Sequence, residues 1–317
     1  MKYRIGIDLG GTNIAAGLLD EEYRFLAKDS VKTESEKGFD HVTDNMAKLC
    51  LKLIRQAGVD KADVTCIGIG SPGNSNPKTG VIVFAGNLGW HDVPLTETVA
   101  KKTGIDKVYL GNDADCAALG EFVMGAGRGY ASLGMLTIGT GVGGGIVLDN
   151  KLFAPADSAG TELGHTTLIY KGESCTCGRK GCLEAYASFT ALIRDGNRAA
   201  DAHPESELAK MRARGERISG KTVFVAAKKG DAVAKQLVDD FIDYIAPGAT
   251  NIANSFGVPL IVIGGGISKE GDYVADRIHQ IVVENMFSGE KYAPAIKMAR
   301  LGNDAGILGA GALADYQ

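Results

Sequence analysis

Two stretches of the chain share one pattern, in which a short apolar strand, a glycine-rich turn and a second strand follow each other directly. The first covers residues 3–20 around the letters DLGGT, and the second covers residues 135–149 around GTGVGGG. Helical and strand-like patterns alternate after the first copy, which predicts a partly parallel sheet covered by helices. The sequence therefore predicts two related α/β units with a ligand held between them.

Apolar periodicity predicts the elements that separate these turns. We expect Gly58 to end a helix that begins near Val42, and Pro247 to kink a long helix. The polar stretch 199–220 predicts an exposed helix and loop. The other predicted strands cover residues 64–69, 81–84, 108–110 and 260–263, and the other predicted helices cover 94–104, 114–124, 233–254 and 274–282.

Glycine accounts for 44 of the 317 residues, roughly twice its usual share. Collagen and low-complexity sequences are excluded, because the glycines have no period of three and only 8 prolines accompany them. The net charge of −4 includes no long run of one sign, which disfavours nucleic acid and membrane surfaces as partners. No apolar run approaches the roughly 18 residues of a membrane span, and no signal peptide is recognised, so we expect a cytoplasmic protein of about two domains.

The two glycine-rich turns are candidate phosphate-binding loops. Backbone N–H groups of Gly10 and Gly11 can approach a phosphate, Thr12 adds a hydroxyl donor, and Asp8 can hold Mg2+ through water. A plain tight turn is the alternative interpretation. Neither turn has the lysine of a Walker loop or the strand–turn–helix order of a dinucleotide-binding motif.

Asn112 and Asp113 stand between a predicted strand and a predicted helix. Asn and Asp are favoured N-cap residues, so capping is one interpretation of both side chains. The other is catalytic, because a carboxylate fixed at a helix N-terminus can accept the proton of a substrate hydroxyl during phosphoryl transfer.

One imidazole and three thiols form the most specific motif of the chain. A closed tetrahedral zinc site uses four such ligands, which here would be His165, Cys175, Cys177 and Cys182. Such a site leaves no position open for substrate, so the zinc is expected to be structural. The alternative interpretation is a set of free thiols in a loop. The other three cysteines, Cys50, Cys66 and Cys116, are expected to be small buried apolar residues.

Two carboxylates, Glu162 and Glu184, flank the cysteine motif. They are either solvated or acceptors for sugar hydroxyls, in which case the second ring nitrogen of His165 can donate to the same sugar.

Together these motifs resemble the repressor, open-reading-frame and kinase (ROK) family over nearly the whole chain. The resemblance rests on DLGGT, GND, GTGVGGG, GTELGH, CTCGRKGCLEAYAS, VIGGGIS and GNDAGILGAG. It implies an actin-like (ribonuclease-H-like) ATPase fold with duplicated mixed-sheet units and ATP in a cleft between two domains. It also implies a bound zinc and transfer of the γ-phosphate to a hexose 6-hydroxyl, with glucokinase activity as the favoured expectation.

The resemblance also assigns roles to individual residues. Asp113 would be the base and Asn112 would orient the sugar. The sugar hydroxyls would contact Glu162, His165 and Glu184 on one side and Gly73 and Asn87 on the other. Phosphates and Mg2+ would contact Asp8, Gly10, Gly11, Thr12, Thr140 and Gly141, and adenosine would contact Gly264, Gly265 and Gly266.

The expected domains are a small one, residues 1–112 with 302–317, and a large one, residues 113–301, that carries the zinc loop. One departure from the family pattern is Pro155, which replaces a usual glycine and restricts the loop that leads to Glu162. The family suggests a homodimer or homotetramer. N-acetylmannosamine, N-acetylglucosamine, fructose or allose as the sugar, polyphosphate as the donor, an inactive sugar sensor and a sugar-responsive regulator stay open as alternatives. The regulator is disfavoured, because the first predicted strand begins at Tyr3 and leaves no room for an N-terminal DNA-binding domain.

Overall fold

The computed structural model describes residues 1–154, 161–287 and 289–317. Its thirteen described strands are β1 (Tyr3–Leu9), β2 (Asn13–Leu19), β3 (Phe25–Lys32), β4 (Val64–Ser71), β5 (Asn74–Asn76), β6 (Val81–Ala85), β7 (Trp90–Val93), β8 (Val108–Asn112), β9 (Leu133–Ile138), β10 (Val142–Leu148), β11 (Lys151–Leu152), β12 (Leu260–Gly265) and β13 (Ala295–Met298). Its ten described α-helices are α1 (Phe39–Ala57), α2 (Leu95–Thr103), α3 (Asp113–Met124), α4 (Glu184–Ala187), α5 (Phe189–Ala202), α6 (Glu207–Ala213), α7 (Gly220–Lys228), α8 (Ala232–Phe256), α9 (Asp272–Asn285) and α10 (Asp304–Tyr316).

The chain divides into two compact units. Unit 1 comprises Met1–Leu133, Gly144–Thr161 and Ala299–Gln317, and unit 2 comprises Gly134–Gly143 and Glu162–Met298. The domains expected from the sequence divide the chain after residue 112 and before residue 302, and they stay a prediction.

Two five-stranded sheets repeat one topology. The first has the order β3-β2-β1-β4-β8 and the second the order β11-β10-β9-β12-β13, so each strand of one sheet has a counterpart in the other. In the first sheet β2 is antiparallel to β1, whereas β4 and β8 are parallel to it. In the second sheet β12 is likewise parallel to β9 and to β13. The predicted repeat is therefore confirmed at the level of strand order.

The core of unit 1 forms where helices cover this first sheet. The helix α1 buries the stripe that its sequence predicts, and it ends at Gly58, whose φ of 66° suits glycine. The helix α10 packs directly on β1 and β4: a Cβ on Gly6 would lie 1.9 Å from the carbonyl oxygen of Ile307, and one on Gly68 would lie 1.7 Å from that of Ala310. Only glycine permits this approach of a helix backbone to a strand.

The structure refines several predicted elements. The helix α8 continues through Pro247 from Ala232 to Phe256. Within the stretch 199–220 the helix α6 buries Leu208 and Met211, so this segment is less exposed than its polar composition predicts. The three scattered cysteines are buried, as expected. No helix in the described part of the chain has both the length and the apolar character that crossing a membrane requires.

Candidate active site

The carboxyl ends of three parallel strands of unit 1 carry the first set of predicted site residues. Asp8 near the end of β1 is in register with Gly70 of β4, and Ser71 of β4 is in register with Asn112 at the end of β8. Because parallel strands end at one edge of a sheet, this edge brings Asp8, Asn112 and Asp113 into one region.

Asp8 and Asp113 form a pair of partly buried carboxylates at this edge. Burial, and after it the negative charge of Asp113, together raise the pKa of Asp8 to about 6. Burial also raises the pKa of Asp113, although the backbone N–H of Ala114 donates to its carboxylate at 2.8 Å and opposes the shift. Raised pKa values in a paired, buried setting are typical of groups that bind a cation or transfer a proton.

Asn112 caps helix α3. Its side-chain oxygen accepts from the backbone N–H of Ala114 at 2.8 Å, and its amide Nδ2 donates to the carbonyl oxygen of Gly73 at 3.3 Å. Gly73 has a φ of 84°, and a Cβ there would lie 2.2 Å from the carbonyl oxygen of Phe84. The capping interpretation is therefore correct for Asn112, and its amide holds the Gly73 turn beside the carboxyl edge.

The first glycine-rich loop is fixed by Thr33, a residue that no sequence motif indicates. The hydroxyl of Thr33 donates to the carbonyl oxygen of Gly10 at 2.6 Å, and its backbone N–H donates to that of Thr12 at 2.9 Å. Thr33 is fully buried after the edge strand β3, where a single threonine gives no functional signal in sequence. On the other side of the loop, a Cβ on Gly11 would lie 3.4 Å from Nδ2 of Asn87, so the structure brings these two predicted residues together.

A cavity of about 610 Å3 lies beside Asn87 in unit 1. The indole Nε1 of Trp90 is buried and has no hydrogen-bond partner among the described residues, and the Trp90 ring packs edge-on against Phe39. The cavity is lined by Ser35, Glu36, Gly38, Phe39, Asn87, Leu88, Gly89, Trp90, His91 and Val93.

The second glycine-rich loop lies in unit 2 and is held on both sides. The backbone N–H of Phe189 donates to the carbonyl oxygen of Gly139 at 2.9 Å, and the hydroxyl of Thr190 donates to that of Thr140 at 2.6 Å. At the other end, the backbone N–H of Val142 donates to Oε2 of Glu184 at 3.0 Å. This loop, like the first, spans three residues between two antiparallel strands, but its attachments come from helices that follow the cysteine motif.

The glycines predicted to contact adenosine lie next to this second loop. Gly265 has a φ of 80°, and a Cβ there would lie 2.2 Å from the carbonyl oxygen of Ile138, directly before the loop. A Cβ on Gly266 would lie 2.6 Å from the ring of Phe189. A side chain is therefore excluded at both positions. Gly265 and Gly266 are exposed, so a ligand can reach their backbone directly.

The four predicted metal ligands converge. Their ligand atoms all lie within 4.8 Å of one another. Nδ1 of His165 lies 3.6 Å from Sγ of Cys175, and Sγ of Cys177 lies 3.6 Å from Sγ of Cys182. A zinc ion with tetrahedral bonds of about 2.3 Å to sulfur separates two sulfur ligands by about 3.8 Å, so the observed spacing fits a metal of this size.

Arg179 supports this cluster from the loop between its cysteines. Hydrogen bonds, first from the backbone N–H of Arg179 and then from its side chain and the neighbouring cysteines, lower the pKa of the Cys177 thiol to about 6. The Arg179 guanidinium also donates to the carbonyl oxygen of His165 at 2.7 Å. A thiolate is the form that binds a metal ion, so the lowered pKa of Cys177 favours metal binding, whereas burial raises the pKa of the Cys175 and Cys182 thiols.

The two flanking carboxylates differ in their surroundings. Glu162 is exposed and immediately precedes the short helical turn Leu163–His165. Glu184 is half-buried, and its carboxylate accepts from Val142 and, at 2.8 Å, from the hydroxyl of Thr176. Glu184 is therefore more than a solvated charge beside the cysteines.

The predicted residues thus form two groups, each within one unit. Their roles stay predictions, and Pro155 lies outside the described residues. Unit 1 holds Asp8, Gly10, Gly11, Thr12, Gly73, Asn87, Asn112 and Asp113, and unit 2 holds Thr140, Gly141, Glu162, His165, Cys175, Cys177, Cys182, Glu184, Gly264, Gly265 and Gly266.

Known proteins share both the sequence and the fold. A glucokinase of Thermotoga maritima is 36% identical over 310 residues, which cover 98% of this chain and 96% of that protein. The crystal structure of a ROK hexokinase from Thermus thermophilus superposes with a TM-score of 0.83 at 34% identity, covering 99% of this chain and 98% of the other. A ROK family glucokinase from Streptomyces griseus, in complex with glucose and AMPPNP, superposes with a TM-score of 0.80 at 35% identity, covering 98% of each chain.

These similarities confirm the predicted actin-like α/β fold. The ROK family pattern matches residues 4–317, which include every motif on which the predicted resemblance rests. With this match and a relative above 30% identity over nearly its full length, the chain belongs to the ROK family.

Proposed function

We propose that the protein is an ATP-dependent glucokinase, which transfers the γ-phosphate of ATP to the 6-hydroxyl of glucose. The single observation that carries this proposal is the pair of partly buried carboxylates Asp8 and Asp113, which lie at the carboxyl edge of the first sheet and have raised pKa values. The similarity of the chain to a glucokinase supports it. The complex of the Streptomyces griseus relative with glucose and AMPPNP supports the same pair of substrates.

Asp113 is the proposed base. Its carboxylate stands at the first residue of α3, where the helix N-terminus favours the ionised form that accepts a proton. Its partial burial raises the pKa towards that of a useful proton acceptor. Asn112 orients the sugar beside it, and Gly73, which accepts from the Asn112 amide, and Asn87 complete this side of the sugar site.

The phosphates of ATP are proposed to contact the two glycine-rich loops, with the adenosine against Gly264, Gly265 and Gly266. A bound Mg2+ would neutralise the charge of the phosphates, and Asp8 would hold the Mg2+ ion through water. Thr33 donates hydrogen bonds to the carbonyl oxygens of Gly10 and Thr12, and these bonds hold the loop in the one conformation that is proposed to bind phosphate. Preorganised loops of this kind lower the barrier because they need no rearrangement during the transfer.

The ligand set His165, Cys175, Cys177 and Cys182 is proposed to hold a structural zinc. With Nδ1 of His165 directed at the cluster, its Nε2 is available to donate to a sugar hydroxyl. Glu162 and Glu184 are proposed to accept from the other hydroxyls of the sugar.

A coupled assay of ADP release tests the function. The purified protein is offered a panel of hexoses and N-acetylhexosamines with ATP, and glucose with polyphosphate. We expect glucose with ATP to give the highest kcat/KM. Background ADP release with every sugar would exclude kinase activity, and a preference for N-acetylmannosamine, N-acetylglucosamine, fructose or allose would reassign the substrate within the family.

The family resemblance further supports a homodimer or homotetramer located in the cytoplasm, and sedimentation of the purified protein measures the oligomeric state.

A further inference from the structure

Both carboxylate oxygens of Glu184 are engaged by other residues of unit 2. Oε2 accepts from the backbone N–H of Val142 at 3.0 Å, and Oε1 accepts from the hydroxyl of Thr176 at 2.8 Å. Thr176 stands between two of the proposed zinc ligands, and Val142 directly follows the second glycine-rich loop. One carboxylate therefore connects the metal-binding loop to the phosphate-binding loop.

We propose that Thr176 is a positioning residue, whose hydroxyl fixes the Glu184 carboxylate between the cysteine loop and the second glycine-rich loop. This inference rests on the proposed function, in which Glu184 contacts the sugar and Thr140 and Gly141 contact ATP. It assigns to Thr176 a role that no motif of the sequence indicates.

The packing of the loop explains why the direction of this carboxylate matters. A Cβ on Gly141 would lie 2.4 Å from Oε2 of Glu184, so the loop backbone lies directly against the carboxylate. The opposite side of the loop is held by Phe189 and Thr190. If the Glu184 side chain rotates, the N–H of Val142 loses its acceptor, whereas the hydrogen bonds from Phe189 and Thr190 stay in place. The loop is then held only on the side of Phe189 and Thr190.

The distances to Oε1 identify the hydroxyl as its main donor. Sγ of Cys175 lies 3.6 Å from Oε1, whereas the hydroxyl of Thr176 lies at 2.8 Å. Because sulfur is a weak hydrogen-bonding group, Thr176 is the donor that holds Oε1.

The kinetic experiment compares Thr176→Val with Thr176→Ser, which keeps the hydroxyl, alone and in a Glu184→Ala background. Loss of one hydrogen bond of this kind predicts about a fivefold rise in KM for glucose in Thr176→Val, with kcat less affected and normal values in Thr176→Ser. In the Glu184→Ala background, Thr176→Val should add nothing, because Thr176 acts through Glu184. Wild-type kinetics in Thr176→Val, or an equal further loss in the Glu184→Ala background, would overturn the proposal.

A second measurement does not depend on catalysis. Hydrogen exchange at the amide of Val142 should be faster in Thr176→Val than in the wild type and in Thr176→Ser, with one metal ion per chain in all three. If the wild type fails to phosphorylate glucose but this exchange difference is found, the proposed function is wrong and the positioning role stands. Unchanged exchange at Val142 refutes the positioning role whatever the kinetics. Should Thr176→Val lose its metal, Thr176→Ala repeats the measurement without the added methyl group.

Discussion

Replacing Asp8 by asparagine should make the protein more stable and inactive at the same time. The pKa of Asp8 rises from its ordinary 3.8 to about 6 in the folded protein, because the carboxyl is buried and faces the charge of Asp113. A shift of roughly two units, at about 1.4 kcal/mol each, corresponds to about 3 kcal/mol. Asparagine has nearly the same shape, which matters because a Cβ on Gly306 of α10 would lie only 2.9 Å from Cγ of Asp8.

The sign of the effect follows from which state holds the proton more tightly. The folded protein binds the Asp8 proton more strongly than the unfolded chain, so this group contributes stability that is fully present below the unfolded pKa. The contribution is lost as the pH rises from about 4 through about 6, the folded pKa. At neutral pH the folded wild type carries an ionised, buried Asp8, and Asp8→Asn removes that cost of up to about 3 kcal/mol.

Urea unfolding between about pH 4 and pH 8 measures the difference. We expect Asp8→Asn to exceed the wild type in unfolding free energy at neutral pH, and the two to converge as the pH falls towards 4. Asp106→Asn, at an exposed aspartate, is the matched control and should leave the wild-type pH profile unchanged. Asp8→Asn should also abolish phosphoryl transfer, because the proposed Mg2+ position loses its charge. The reasoning is refuted if Asp8→Asn is less stable than the wild type at neutral pH, or if it keeps the same pH dependence.

Three further substitutions test other parts of the molecule. Asp113→Ala should lower kcat by more than about a hundredfold while glucose still binds, as measured by calorimetry, and near-normal turnover would exclude Asp113 as the base. Cys177→Ser should release the metal, measured by elemental analysis, and raise KM for glucose; full metal content with unchanged affinity would contradict the structural zinc site. Gly265→Ala should cost more than about 1 kcal/mol in thermal unfolding, because it combines a φ of 80° with a Cβ 2.2 Å from the Ile138 carbonyl oxygen. Gly271→Ala, at a φ of 103° with nothing within 4 Å of the added Cβ, isolates the conformational part, and an equal loss in both variants would show that the contact with Ile138 is unimportant.

The elements that the sequence predicts best have a strong apolar period or an unambiguous terminal residue. The helix α1 has both, since its buried stripe is regular and Gly58 ends it. The strand β3 was not predicted, because three of its four apolar residues are consecutive and do not alternate with polar residues as in a typical half-buried strand. Similarly, α6 lies in a polar stretch, and only tertiary packing reveals that Leu208 and Met211 are buried.

Site residues, too, are predicted well only where the local sequence itself defines their arrangement. Four metal ligands within eighteen residues, His165 to Cys182, define their own geometry in the sequence, and the structure brings their atoms together. Thr33 and Thr176 could not be found in this way. Thr33 donates to Gly10, 23 residues away, and Thr176 donates to Glu184, 8 residues away, and threonine is too common for its position alone to be informative.

The packing of α10 against β1 and β4 has a consequence for biosynthesis. Unit 1 begins with Met1–Leu133, yet it is completed by α10, which starts at Asp304, about 170 residues later. At about 5 to 20 residues per second, a ribosome needs roughly 10 to 30 s to cover that distance. Throughout this interval the strands at Gly6 and Gly68 lack the helix that lies on them in the finished protein. The nascent chain therefore leaves the sheet face that α10 covers without its helix for many seconds, during which unit 2 is synthesised, so unit 1 can be completed only after most of unit 2 has been made.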